Sequence, residues 1–144
     1  MKARTLLPVL FVLLLSVFIV VSVAQASVEP VLAVDDLFTA VTACEIEQAT
    51  SLFAADAVAR NDVANILYEG SAEISGLLDG WERDGRVFDI VKLEMDDETV
   101  DLTVEISDDG IVWARQAMTA SVHDGKIQNL DVHQIELQLW RVWD

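Results

Sequence analysis

The spacing of apolar residues changes once along the main body of this chain, close to Arg86. Before that point Val34, Leu37, Phe38 and Val41 recur at helical intervals, as do Ile46, Ala49, Leu52 and Phe53. The spacing predicts a helix over 31–43, with Asp35 and Asp36 near the end where the helix dipole favours negative charge. It predicts a second helix over 45–54, followed by short strands over 57–60 and 66–69 around an irregular loop. A third helix, capped by Ser71 and reaching about Arg83, carries Ile74, Leu77, Leu78 and Trp81; Gly76 and Gly80 weaken it. Beyond Arg86 the period becomes two, most plainly where Val100, Leu102, Val104 and Ile106 alternate with Asp101, Thr103, Glu105 and Ser107. Asp109-Gly110 and Asp124-Gly125 are hairpin signals, because Asp and Gly tolerate the positive φ that tight turns require. Four strands are expected near 86–95, 98–107, 111–122 and 126–138, joined as an antiparallel meander. In the last strand the apolar phase shifts between Ile127 and Leu130 and again between Val132 and Ile135, the mark of bulges or a strong bend. Helices first and a curved antiparallel sheet afterwards define an α+β fold class.

A different pattern opens the chain. Lys2 and Arg4 form a positive start, and residues 6–23 are apolar apart from Pro8, Ser16 and Ser22. Ala24-Gln25-Ala26 then places small residues where a signal peptidase reads them, so residues 1–26 are expected to be a signal peptide cleaved before Ser27. The alternative is an uncleaved anchor over residues 6–23, a run near the lower limit for spanning a bilayer. Either way the domain over 27–144 is expected to be exported, periplasmic or extracellular, and to meet a membrane only through an uncleaved leader. Val41-Thr42-Ala43-Cys44 looks like a lipoprotein signal but sits well past the apolar run, within a helical segment.

Charge narrows the partners. The 144 residues carry a formal net charge of −16; all 25 acidic residues lie beyond Ala26, whereas two of the nine Lys and Arg precede it. Such a chain lacks the clustered cations that bind nucleic acid or an anionic membrane surface. Cys44 is the single cysteine, which excludes an internal disulfide, and no Asn-x-Ser/Thr sequon occurs. The acidic groups Asp96-Asp97-Glu98 and Asp108-Asp109 fall at predicted turns without calcium-loop spacing, so neither a metal nor a cofactor is predicted.

Three stretches together carry a family likeness: Ala49-Thr50-Ser51-Leu52-Phe53-Ala54-Ala55-Asp56-Ala57-Val58, then Tyr68-Glu69-Gly70-Ser71-Ala72-Glu73-Ile74, and the closing Asp124-Gly125-Lys126-Ile127. In their order and spacing they resemble the nuclear transport factor 2-like superfamily, within it the SnoaL-like and ketosteroid isomerase-like branch, across residues 31–138. The resemblance implies a cone: a bent sheet wrapped around helices, enclosing an apolar pocket and dimerising through the sheet, here as a homodimer. It implies a small apolar ligand more strongly than any one reaction. Carried over without gaps, the isomerase's general-base position falls on Asn61, its oxyanion-hole tyrosine on Leu37, and its protonated acid near Ala117 or Met118. None of these side chains can do that work.

Candidate site residues follow from both readings. Asp131 and His133 stand two apart on the last strand and so share a face, with Ile135 and Leu137 if no bulge intervenes. At a pocket wall a carboxylate orients an imidazole for acid–base work; elsewhere the pair is a polar stretch on the solvent or dimer face. Arg115, among Ile111, Trp113 and Ala117, is either a clamp for a carboxylate or enolate or half of a cross-strand ion pair. Asn61, Tyr68 and Trp81 are further candidates for lining the pocket. His123 sits beside a turn. The tail, with Trp140 and Trp143, is expected to pack on the domain or on a partner.

Overall fold

The computed structural model describes residues 29–138. The leader, its cleavage site and the Trp-rich tail lie outside the described residues.

Residues 29–42 form helix α1, which buries Val34, Leu37, Phe38 and Val41 and leaves Asp35 and Asp36 in solvent. Its end is specific. Glu45 N–H donates to Ala40 O at 2.9 Å and Cys44 N–H to Val41 O at 3.1 Å, with Cys44 at φ 62°. This is the Schellman arrangement, which satisfies two orphan carbonyls and turns the chain, and it favours glycine at the left-handed position. The chain then forms α2 (Ile46–Ser51), β1 (Phe53–Asn61), β2 (Ile66–Glu69), α3 (Gly70–Arg83), β3 (Val87–Asp96), β4 (Thr99–Asp108), β5 (Ile111–His123) and β6 (Lys126–Leu137). Both Asp-Gly hairpins have positive φ at both central residues, as the sequence requires.

One sheet holds all six strands in the order β2-β1-β6-β5-β4-β3. It is mixed, which corrects the expected all-antiparallel sheet. β1 runs parallel to β6, while every other neighbouring pair is antiparallel. β6 closes the meander with one free edge, and β1 covers it; the long return through β2, α3 and three strands supplies the crossover that a parallel pair needs. For the same reason α2 stops at Ser51. Phe53 keeps the helical spacing of Ala49 but is recruited as a strand residue opposite Ile127, and Ile127 N–H donates to Leu52 O at 2.8 Å.

The predicted phase shifts of β6 appear as two register shifts against β5. Ser121 faces Asn129 and Val122 faces Ile127; Met118 faces Val132 and Ala117 faces Gln134. Gln128 and His133 are therefore the extra residues of two bulges, and the strand bends at each. The inner face that results carries Val100, Leu102, Val104, Ile106, Ala114, Met118, Ala120, Leu130 and Val132, all buried in one core with α1, α2 and α3. The outer face of the same strands is polar, bearing Asp101, Thr103, Glu105, Arg115, Thr119 and Asp131.

An aromatic cluster joins α1, α3 and β3. Trp81 lies 5.1 Å from Phe88 and 6.5 Å from Phe38 between ring centroids, and Phe38 lies 5.8 Å from Phe88. Phe88→Ala removes the shared member from the sheet side and is expected to destabilise the fold by about 3–5 kcal/mol. By contrast, Cys44→Gly relieves a left-handed residue with a Cβ and is expected to stabilise by about 1 kcal/mol. Urea unfolding of the two variants measures both signs.

Candidate ligand site

Between α3 and the inner face of the bent sheet lies a half-open cavity of about 280 Å³. At roughly 30 Å³ per liquid water it has room for about nine waters, or one small organic molecule. Its apolar wall comes from Leu77 and Trp81 of α3, Trp113 of β5, and Leu130, Val132, Ile135 and Leu137 of β6. Its polar groups are few. Asn61 ends β1, Tyr68 stands on β2 beside Ala59, Gln116 lies mid-β5 and Arg86 lies at the junction of α3 and β3.

Each polar group is placed by local structure. The Asn61 amide oxygen accepts from Ala64 N–H, three residues on, at 3.0 Å, a local bond that opens the β1–β2 loop. Gln116 is nine-tenths buried and lines the cavity from mid-β5. The Arg86 guanidinium stacks over the Trp113 ring, 5.4 Å from its centroid, and one of its terminal nitrogens lies 2.7 Å from Asp84 Oδ2. Stacking and ion pair together hold a long side chain in one place.

Asn61, Tyr68 and Trp81 thus come together in this cavity. Arg115 does not join them. It donates to Glu105 Oε1 from Nε at 2.8 Å and from Nη2 at 2.6 Å, on the outer face. The reason is phase: Ala114, Gln116, Met118 and Ala120 point inward, and a register shift at the start of β5 separates Trp113 from that alternation. Asp131 and His133 also stand outside the cavity. Val132 between them faces inward, and the bulge at His133 throws Ile135 and Leu137 onto the face opposite the pair. His133 is not bonded to Asp131. Its Nδ1 lies 3.1 Å from Asp62 Oδ2 and its Nε2 lies 2.8 Å from Thr119 Oγ1. Thr119 passes its one hydroxyl hydrogen to Asp101 Oδ1 at 2.7 Å, so toward His133 it is an acceptor and not a poised nucleophile.

Of the isomerase-like positions, Leu37 and Met118 are buried in the core and Asn61 borders the cavity. No group of three or more potential metal ligands occurs among the described residues. No helix among them is long and apolar enough to cross a membrane. Sequence reasoning missed Arg86, Trp113 and Gln116. Gln116 had a signal, being the one polar residue in the inward phase of β5; Arg86, in a junction without periodicity, had none.

No family model matches the sequence, and no curated protein matches it. Solved structures do match. A nuclear transport factor 2-like protein of unknown function from Cytophaga hutchinsonii superposes with a TM-score of 0.59 at 12% identity, covering 78% of this chain and 92% of that one. A proposed polyketide cyclase from Sinorhizobium meliloti gives 0.62 at 17% identity, covering 70% and 93%. A protein of ketosteroid isomerase-like fold from Catenulispora acidiphila, solved in complex with trimethylamine, gives 0.62 at 16%, covering 71% and 84%. At these identities the likeness is one of fold. The chain has the nuclear transport factor 2-like α+β fold.

Two outcomes check the placement of the charged groups. Arg115→Met is expected to cost less than about 1 kcal/mol in unfolding experiments, as a partly exposed ion pair would, and to leave any ligand affinity of the cavity unchanged. His123 lies 3.1 Å from Glu98 Oε1 and 3.4 Å from Asp124 Oδ2. The hydrogen bond to Glu98, then the charges of Asp124 and Glu98, raise its pKa above the ordinary imidazole value. A raised folded-state value means its small contribution to stability is present below the unfolded pKa near 6.5 and is lost as pH rises through the folded one. An NMR titration is expected to show the elevated midpoint, and Glu98→Gln is expected to lower it.

Proposed function

We propose that this chain is an exported SnoaL-like domain that binds a small, largely apolar molecule in the cavity between α3 and the inner face of the sheet, without chemistry of its own. The observation that carries the reading is the cavity wall: Trp81, Trp113, Leu77 and the β6 aliphatic residues, punctuated by a few fixed polar groups. That composition is typical of small-molecule sites. The absence of catalysis is supported by the same wall. Among the described residues its lining includes no carboxylate, imidazole, thiol or lysine, the groups most often used to move a proton at neutral pH. The titratable Asp62–His133–Thr119–Asp101 chain lies on the other side of the sheet, where an open, polar surface offers little to exclude water.

The neutral dye N-phenyl-1-naphthylamine tests this directly. It is expected to brighten on mixing with the protein, and Ile135→Trp, which fills the cavity, is expected to weaken its binding tenfold or more with little change in the unfolding midpoint. No brightening, or brightening that the variant leaves untouched, would overturn the reading. Export is tested by the mass of the full chain recovered from the exported fraction, which is expected to begin at Ser27.

A further inference from the structure

The binding reading leaves the ligand's chemistry open, and the polar groups of the cavity narrow it. We propose that the ligand is an aromatic or otherwise apolar acid, its carboxylate taken by the Arg86 guanidinium and its body laid along Trp113 and the β6 wall. This rests on the cavity being a ligand site.

Three observations lead there. The first is a contrast of charge. The chain has 25 acidic residues against nine Lys and Arg, yet among the described residues no acidic one lines this cavity and a guanidinium does. Arg60 also borders it, but its register partner on β6 is Asp131, on the outer face, which leaves Arg86 as the cation held at the wall. The second is that Arg86 is already fixed. Its side chain is three-quarters buried with the guanidinium carbon over the Trp113 ring, 5.4 Å from the centroid, while Asp84, its partner at 2.7 Å, is itself half exposed and does not line the cavity. A guanidinium has five N–H donors in a planar fork, and one contact with Asp84 leaves others for a second carboxylate. A cation entering the cavity would meet that charge with no carboxylate among the described wall residues to offset it.

The third observation is the character of the remaining polar groups. Asn61 accepts from Ala64 N–H through its oxygen and retains two amide N–H donors at the cavity border. Tyr68 brings a phenol O–H, and the buried Gln116 amide brings two further donors beside one acceptor. A site made of a cation and several donors is matched by an acceptor-rich anionic head, and a carboxylate, which only accepts, is the simplest one.

Two probes of one shape separate charge from fit: 2-naphthoate and its neutral amide, 2-naphthamide. Their binding is followed by quenching of tryptophan fluorescence in the full chain purified after export. The naphthoate is expected to bind about tenfold or more tightly than the naphthamide, as a charge-assisted bidentate contact would. Arg86→Met, which keeps an apolar stem over Trp113, is expected to bring the ratio of the two affinities near one, whereas Arg86→Lys keeps part of the preference. Equal affinities in the wild type overturn the proposal, as does a preference that survives Arg86→Met; in both cases binding of the amide still supports the cavity as a ligand site. Failure of both probes to bind overturns this proposal together with the reading it rests on. If Arg86→Met does not fold, Arg86→Gln and the wild-type ratio decide the matter.

Discussion

The bend of β6 is the constraint on which the rest of the molecule depends. β6 is an interior strand, parallel to β1 on one side and antiparallel to β5 on the other, and it carries two extra residues. Each bulge increases the local twist, so the sheet coils instead of lying flat. A flat sheet would meet α3 along its whole length and close the space between them. A coiled one leaves room for the cavity that Leu77 and Trp81 of α3 share with Trp113 and the β6 wall. The same bend sets which side each residue of β6 faces. Val132 and Ile135 both reach the inner face, three positions apart, which an unbulged strand cannot arrange.

Most of the fold was legible because its devices are local. Helical spacing in 31–43, alternation from Val100 to Ser107 and two Asp-Gly turns each act over a few residues, and the structure shows elements close to those bounds. Even the bulges left a trace, as two breaks in apolar phase. The parallel β1–β6 pair did not, because pairing between strands so distant in sequence has no signature in either one. For that reason Phe53 read as part of the second helix, expected over 45–54. The site shows the same division. Asn61, Tyr68 and Trp81 were reachable through resemblance, since the fold fixes where those positions face. Arg115 and the Asp131–His133 pair were read with a strand phase that the bulges at Trp113 and His133 shift, and one shifted residue moves a side chain from cavity to solvent.

The sheet keeps two kinds of chemistry apart. Its outer face bears carboxylates, His133 and Thr119 in water, where ion pairs are screened and their hydrogen bonds compete with solvent. Its inner face is apolar except for a few groups whose positions are fixed by turn, strand or stacking. A chain as acidic as this one repels itself, and burying any of its carboxylates beside the cavity would add desolvation to repulsion. Placing them outward avoids both costs.

Arg86 is the exception to that rule, and its surroundings explain how it is tolerated. A guanidinium is weakly hydrated for a cation and stacks on an aromatic face, so partial burial over Trp113 costs less than it would for a lysine. Asp84 offsets part of its charge from the solvent side without entering the cavity. The surrounding excess of carboxylates favours the cation further, through a field that falls off over about 8–10 Å at physiological salt. That field opposes the entry of an anion from solution, so an acidic ligand must be selected by short-range contact and apolar burial, not by steering. Binding of this kind depends on a fixed guanidinium close to an aromatic wall, which is what the junction of α3 and β3 supplies.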